Sequence, residues 1–140
     1  MRKMDEKKLE FYKSLGIKLT PQRIAILEYL EGNREHPSAE DIYNSLKKNF
    51  PSMSFATVYN TLDVLVKKGL IKEIIVDPYK KRFDPFTHTH HHFVCKYCKK
   101  VIDISQEINF PLPKEIQNCE VEDFQVVFIG LCPKCKDRKN

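Results

Sequence analysis

The sequence predicts an α+β protein in two parts: helices closing on a two-stranded ribbon over residues 1–84, then a small sheet-rich α/β part over 85–140. Three observations predict it. Helix start and stop residues recur four times before residue 70. Two short strand-like runs follow them. Beyond Phe83 the helical periodicity gives way to short strands that bracket two Cys-x-x-Cys pairs.

Asp5 to Leu15 reads as a short helix stopped by Gly16, the residue type favoured just past a helix C-terminus. Thr20 caps a second helix, and Pro21 takes its first position, where a missing N–H costs nothing. Ile24, Leu27, Tyr29 and Leu30 supply its apolar face, and Gly32-Asn33 ends it. Ser38 opens a third helix with a Ser38/Asp41 capping box; Ile42, Tyr43 and Leu46 face inward, and Pro51 marks the stop. A fourth helix begins near Ser52 or Ser54 and runs to Lys68, stopped by Gly69. Phe55, Val58, Leu62, Leu65 and Val66 fall on one face of it, and Ala56, Tyr59, Asn60 and Asp63 on another. Leu70–Val76 and Lys80–Phe83 then pair as a hairpin across Asp77-Pro78-Tyr79. Helices followed by a two-stranded ribbon is the order of a winged helix-turn-helix.

Asp84-Pro85-Phe86-Thr87 reads as a linker, because Pro85 pushes Asp84 out of helical geometry. Strands are expected at His92–Cys95, Val101–Ile104 and Phe124–Leu131, with a helix near Lys114–Asn118. No run of 18 apolar residues exists, so no transmembrane helix is expected. The start MRKMDEKKLEFYK carries charge and no apolar stretch, which argues for the cytoplasm. Residues 1–84 hold 16 Lys+Arg against 12 Asp+Glu; residues 85–140 hold 8 against 7. A modest basic excess in the first part fits a nucleic-acid surface.

Five cysteines in a chain read as cytoplasmic argue for metal or redox chemistry rather than a disulfide framework. Cys95-Lys-Tyr-Cys98 and Cys132-Pro-Lys-Cys135 each place two thiolates on one side of a tight knuckle. Two knuckles complete a tetrahedral S4 set for a structural Zn²⁺. A metal would also relieve the shortage of apolar core in so small a domain. Cys119 has no partner at ligand spacing and reads as a small apolar residue at a helix end.

The histidines crowd together. Four of the five lie in Thr87-His88-Thr89-His90-His91-His92, and His36 precedes the third helix. On a strand His90 and His92 point to one face and His91 to the other. Asp84 lies six residues before His90, and Asp103 lies on the next strand. Imidazoles with carboxylates suit Fe²⁺, Mn²⁺ or Zn²⁺ better than Cu(I) or Ca²⁺.

These motifs, read together, resemble the ferric uptake regulator family over nearly the whole chain. The landmarks are Leu19-Thr20-Pro21-Gln22-Arg23, His36-Pro37-Ser38-Ala39-Glu40-Asp41-Ile42-Tyr43, Ser54-Phe55-Ala56-Thr57-Val58-Tyr59-Asn60-Thr61-Leu62, Gly69-Leu70-Ile71, Arg82-Phe83-Asp84 and the two cysteine pairs. The resemblance implies a homodimeric, metal-responsive transcription factor whose C-terminal part is the dimerisation domain. It also implies a regulatory Fe²⁺ or Mn²⁺ on His36, Asp84, His90, His92 and Asp103. The peroxide-responsive repressor branch is the most similar: iron-sensing members typically carry Glu where Asp103 stands and Arg where Asn60 stands. That branch implies Fe-catalysed oxidation of a ligand histidine, His36 or His90. His88 and His91 fall outside the ligand pattern and are expected to be exposed. A histidine that builds an additional site in some members is missing from Phe124-Gln125-Val126-Val127-Phe128.

The expected partner is double-stranded DNA bearing an inverted-repeat operator. Ala56, Thr57, Tyr59 and Asn60 would meet the bases, and Lys67, Lys68, Lys80, Lys81 and Arg82 the phosphates. Two other readings compete. One is an iron, manganese or zinc uptake regulator of the same family. The other is a metal-dependent hydrolase on the His/Asp cluster, against which stands the lack of a general base outside the ligand set.

Overall fold

Side-chain caps begin each of the first four helices. In the computed structural model, which describes residues 3–77, 80–88 and 90–138 (side chains of 75–77 and 138 excepted), α1 spans Glu6–Ser14. Asp5 accepts the Lys8 N–H there at 2.8 Å. Thr20 accepts the Arg23 N–H at 3.2 Å to start α2, Pro21–Leu30. Ser38 and Asp41 close a reciprocal box at the head of α3, Ala39–Leu46: Ser38 Oγ accepts the Asp41 N–H at 3.1 Å, and the Asp41 carboxylate accepts the Ser38 N–H at 2.9 Å. Burial pushes the Asp41 carboxyl upward, but the Ser38 bonds and the Lys80 and Arg82 charges outweigh it and leave it below its ordinary 3.8. Ser54 starts α4, Phe55–Lys67, by accepting the Thr57 N–H at 3.1 Å. Gly69 ends that helix with φ +73°, which lets the Leu70 N–H reach back to the Leu65 carbonyl at 2.9 Å.

The chain divides into two compact units, Met1–Thr87 and His88–Asn140, and its class is α+β. In the first unit α2, α3 and α4 pack around Ile26, Leu30, Ile42, Leu46, Val58, Leu62 and Leu65, all nearly inaccessible to solvent. Strands β1, Lys72–Asp77, and β2, Lys80–Asp84, form an antiparallel hairpin with Lys72 opposite Asp84 and Ile74 opposite Arg82. Pro78 and Tyr79, expected in its turn, lie outside the described residues. The unit's last residues stay on it. The Arg34 guanidinium sits 4.2 Å over the Phe86 ring, and the Phe86 N–H donates to Asp84 Oδ1 at 2.9 Å.

Two expected apolar faces need correction. In α2 the deeply buried residues are Ala25, Ile26, Leu27 and Leu30, while Ile24 and Tyr29 are half-buried. This helix packs on both α3 and α4, so periodicity alone could not choose its inner face. Phe55 is 38% exposed. It stacks edge-on against Tyr43 at 5.8 Å and lies 5.6 Å from Tyr59, forming an aromatic rim rather than core.

The second unit is a three-stranded sheet in the order β4-β3-β5, with β3 at His91–Cys95, β4 at Val101–Ile104 and β5 at Val127–Gly130. The outer strands run differently: β4 is antiparallel to β3, and β5 is parallel to it. The helix expected near Lys114–Asn118 is a single 3-10 turn, Lys114–Ile116, and the last strand is four residues long rather than eight. A closing helix α5, Pro133–Arg138, carries the second cysteine knuckle and was not anticipated. No helix among the described residues is long and apolar enough to cross a membrane.

Candidate metal centres and nucleic-acid face

Parallel pairing of β3 with β5 sets Cys95 opposite Gly130, so the two knuckles leave the same end of adjacent strands. Cys95, Cys98, Cys132 and Cys135 consequently offer four sulfurs within 4.8 Å of one another. Sulfurs at ~2.3 Å from a tetrahedral Zn²⁺ stand about 3.8 Å apart. The Cys98–Cys132 separation is 3.8 Å. The donor set fits zinc in chemistry and in spacing. Backbone N–H groups of Cys132 and Cys98 hold the Cys95 thiol down to about 6. The Cys135 N–H likewise lowers Cys132, whereas burial raises Cys135 to about 12. N–H groups aimed at sulfur are the usual outer support of a thiolate metal site. Lys99, with φ +67°, turns the first knuckle and donates its N–H to the Cys95 carbonyl at 2.8 Å.

The register between β3 and β4 places His92 opposite Asp103, with His92 Nε2 3.3 Å and His90 Nε2 3.8 Å from Asp103 Oδ1. The His90 and His92 rings lie 4.6 Å apart. His90 Nδ1 sits 2.8 Å from the His88 carbonyl. A carbonyl only accepts, so Nδ1 carries a proton, and Nε2 is the ring nitrogen turned to the Asp103 side. That is the outer-partner arrangement that fixes a metal-ligating imidazole. The Gln125 amide lies 3.5 Å from His92 Nδ1, a neighbour that strand alternation gave no reason to single out.

In the first unit His36 and Asp84 are both almost fully buried, with His36 Nε2 3.5 Å from Asp84 Oδ2. Donors sharing an ion at ~2.1 Å stand about 3.0–3.4 Å apart, so this pair is near ligand spacing. His36 itself has φ +54°. Its carbonyl accepts from Arg82 Nη1 at 3.3 Å.

His88 is exposed, as expected, but His91 is only 2% exposed. It stacks on Phe124 at 5.2 Å, and its Nδ1 accepts the Val126 N–H at 3.1 Å. An imidazole whose Nδ1 is bonded to backbone and whose face is covered by a phenyl ring is a packing residue. Alternation had put it on the far face from His90 and His92, but nothing local foretold what would cover that face. Cys119 is exposed and follows the 3-10 turn, its N–H donating to the Ile116 carbonyl at 3.0 Å.

On α4, Ala56, Tyr59 and Asn60 are exposed, and Tyr59 is 41% so. Thr57 is half-buried; its carbonyl accepts the Thr61 hydroxyl at 2.8 Å and its hydroxyl lies 2.9 Å from that of Ser54. Lys67 pairs with Asp63 at 3.0 Å, Lys80 with Glu40 at 3.9 Å and Lys81 with Glu73 at 3.3 Å. Lys67, Lys68 and Lys81 are exposed. Exposed pairs of this kind are worth little and yield readily to phosphate. Arg82 stands apart, being half-buried and bonded to the His36 loop.

Residues 14–129 match the profile described as the ferric uptake regulator family. The peroxide operon regulator of Bacillus subtilis (strain 168) is 39% identical over 136 residues, spanning 94% of this chain and 93% of the relative. The solved structure of PerR from Streptococcus pyogenes, described as the structural basis for peroxide sensing and gene regulation, is 35% identical with a TM-score of 0.53. It covers 93% of this chain and 91% of its own. The ferric uptake regulator of Helicobacter pylori, described with three functional metal-binding sites, superposes with a TM-score of 0.71 over 97% of both chains. At 21% identity that is a likeness of fold.

Proposed function

Because the chain belongs to the ferric uptake regulator family, we propose that it is a metal-dependent, peroxide-responsive transcriptional repressor of the cytoplasm, a regulator and not a turnover enzyme. The first unit is then a winged helix-turn-helix with α4 in the major groove and the β1–β2 hairpin as the wing. The second is a dimerisation domain stapled by zinc on Cys95, Cys98, Cys132 and Cys135. Exposed Phe128 and Ile129 on the edge strand β5 suit a second copy as partner. A homodimer with its reading helices roughly 34 Å apart matches an inverted-repeat operator.

The observation that carries this reading is the pairing of imidazole with carboxylate in each unit, His36 with Asp84 and His90 and His92 with Asp103. A regulatory Fe²⁺ or Mn²⁺ would be held by His36, Asp84, His90, His92 and Asp103, and its binding would favour the arrangement that fits DNA. Fe²⁺ held there would supply the redox chemistry that cleaves the O–O bond of hydrogen peroxide. One oxygen would add to the His36 or His90 imidazole and the other would leave as water. An oxidised imidazole would be a poorer ligand, so the repressor would release DNA.

The deciding measurement is operator binding by the Mn²⁺ and Fe²⁺ forms before and after H2O2, with mass spectrometry of the histidine peptides. The Fe²⁺ protein is expected to lose DNA and gain oxygen on His36 or His90, and the Mn²⁺ protein to do neither. Asp103→Glu keeps a carboxylate but lengthens its arm, so it is expected to repress yet oxidise far more slowly. Native Fe²⁺ protein that holds DNA with unmodified histidines at micromolar peroxide would instead be a metal-uptake regulator.

A further inference from the structure

His36 adopts the left-handed backbone region, φ +54°, which residues with side chains populate sparsely. What holds it there is strand β2. Arg82 Nη1 donates to the His36 carbonyl at 3.3 Å, the Phe83 N–H donates to the Pro37 carbonyl at 2.9 Å, and Ser38 and Arg82 form an isolated antiparallel bridge. Ser38 then caps α3. The loop carrying His36 is therefore tied at three successive residues to the strand that ends in Asp84.

Position on the hairpin suggests a phosphate contact for Arg82, in line with Lys80 and Lys81. Its surroundings argue otherwise. Lys81 is exposed, whereas Arg82 is half-buried, its Nε is inaccessible, and its guanidinium is engaged with the loop carbonyl. Arg82 and Asp84 are also i and i+2 on one strand, so their side chains leave the same face.

We propose that Arg82 is a positioning residue for the regulatory metal, clamping the His36 carbonyl so that the imidazole stays within reach of the Asp84 carboxylate. This rests on the reading of His36 and Asp84 as ligands. The sign of its effect separates it from simple electrostatics. A fixed guanidinium near a cation site weakens metal binding by repulsion, so a purely Coulombic Arg82 would make its removal tighten the ion. A positioning Arg82 makes its removal loosen the ion.

The test is Mn²⁺ affinity of the full-length, zinc-loaded protein, read by competition with a fluorescent chelator, alongside operator affinity at saturating Mn²⁺. Arg82→Ala is expected to bind Mn²⁺ about tenfold more weakly, the low end of the loss seen when partners of metal ligands are removed. Zinc content and saturated operator affinity are expected to stay native, and Arg82→Lys, which keeps one donor, to recover most of the loss. If alanine there does not fold, Arg82→Met fills the same volume without a donor and is expected to show the same loss. Unchanged or tighter Mn²⁺ binding, or operator binding that stays weak at saturating Mn²⁺, would overturn the proposal and return Arg82 to the phosphates. His36→Ala distinguishes the two levels. If it too binds Mn²⁺ natively, the ligand reading has failed and takes this proposal with it; if it loses Mn²⁺ while Arg82→Ala does not, only the role of Arg82 fails.

Discussion

Among the described residues, fourteen buried apolar side chains from Ile17 to Phe83 close the first unit, whereas the buried cluster of the second is Cys95, Cys132 and Cys135 flanked by Phe93 and Leu131. The first has an apolar core to fold on without a metal, each fully buried Leu or Ile contributing roughly 1.5–3 kcal/mol. The second has about 50 residues, near the lower limit for folding without a staple. Its long stretch from Ser105 to Gln125 is mostly exposed. Four converging thiols stand where an apolar core would be, so metal binding and folding of that unit are one equilibrium.

The largest test of this contrast is removal of zinc. Cys132→Ser is expected to lose the metal and unfold the second unit, forfeiting much of the ~10–16 kcal/mol typical of structural zinc sites. Helical circular dichroism from α1–α4 is expected to persist. A Cys132→Ser protein that retained stoichiometric zinc would sink the four-thiolate assignment. The converse change is Ile26→Ala at a site of 0% exposure, with an expected cost of about 2–5 kcal/mol in denaturant unfolding and no loss of zinc. Zinc leaving together with that transition would show that the two units do not have separate stabilities.

Acid sharpens the comparison. Zinc is held by thiolates, so proton competition releases the metal as pH falls and the second unit goes with it. The Cys95 thiol, held well below its ordinary 9.0 at about 6, is already largely thiolate at neutral pH. Asp41 is likewise lowered, so the Ser38/Asp41 box is at full strength above 3.8 and is lost only on further acidification through its folded value. On a falling pH ramp the zinc-loaded protein is expected to lose its second unit first, followed by helix α3; the reverse order in residue-resolved NMR would contradict this. The smaller effects lie on the surface of the first unit. Asn60→Ala is expected to cost ~1–3 kcal/mol at a matched operator and relax base preference. Ser38→Ala, losing one half of the capping box, is expected to cost about 1 kcal/mol in thermal unfolding. If Asn60→Ala left sequence preference intact, α4 would not be the reading helix.

Much of the first unit was legible because its signals are local. Asp5, Thr20, Ser38 and Ser54 each bond an N–H three residues ahead, a geometry written in consecutive residues. What escaped depended on neighbours distant in sequence. Phe55 sits at an exposed rim, edge-on against Tyr43 of a different helix. His91 is buried because Phe124, 33 residues later, covers its ring.

The sequence by itself determined the donors: two cysteine knuckles at ligand spacing, His90 and His92 on one face of an extended segment, and carboxylates at Asp84 and Asp103. Side-chain chemistry and strand alternation are properties of short stretches, so they need no fold to be read. Only the tertiary structure decided which donors meet. Parallel pairing of β3 with β5 joins the knuckles, the β3–β4 register sets His92 against Asp103, and β2 ties down the His36 loop through Arg82. Those pairings join residues 11 to 46 positions apart. They follow from how whole strands pack and pair, a quantity no local window of sequence contains.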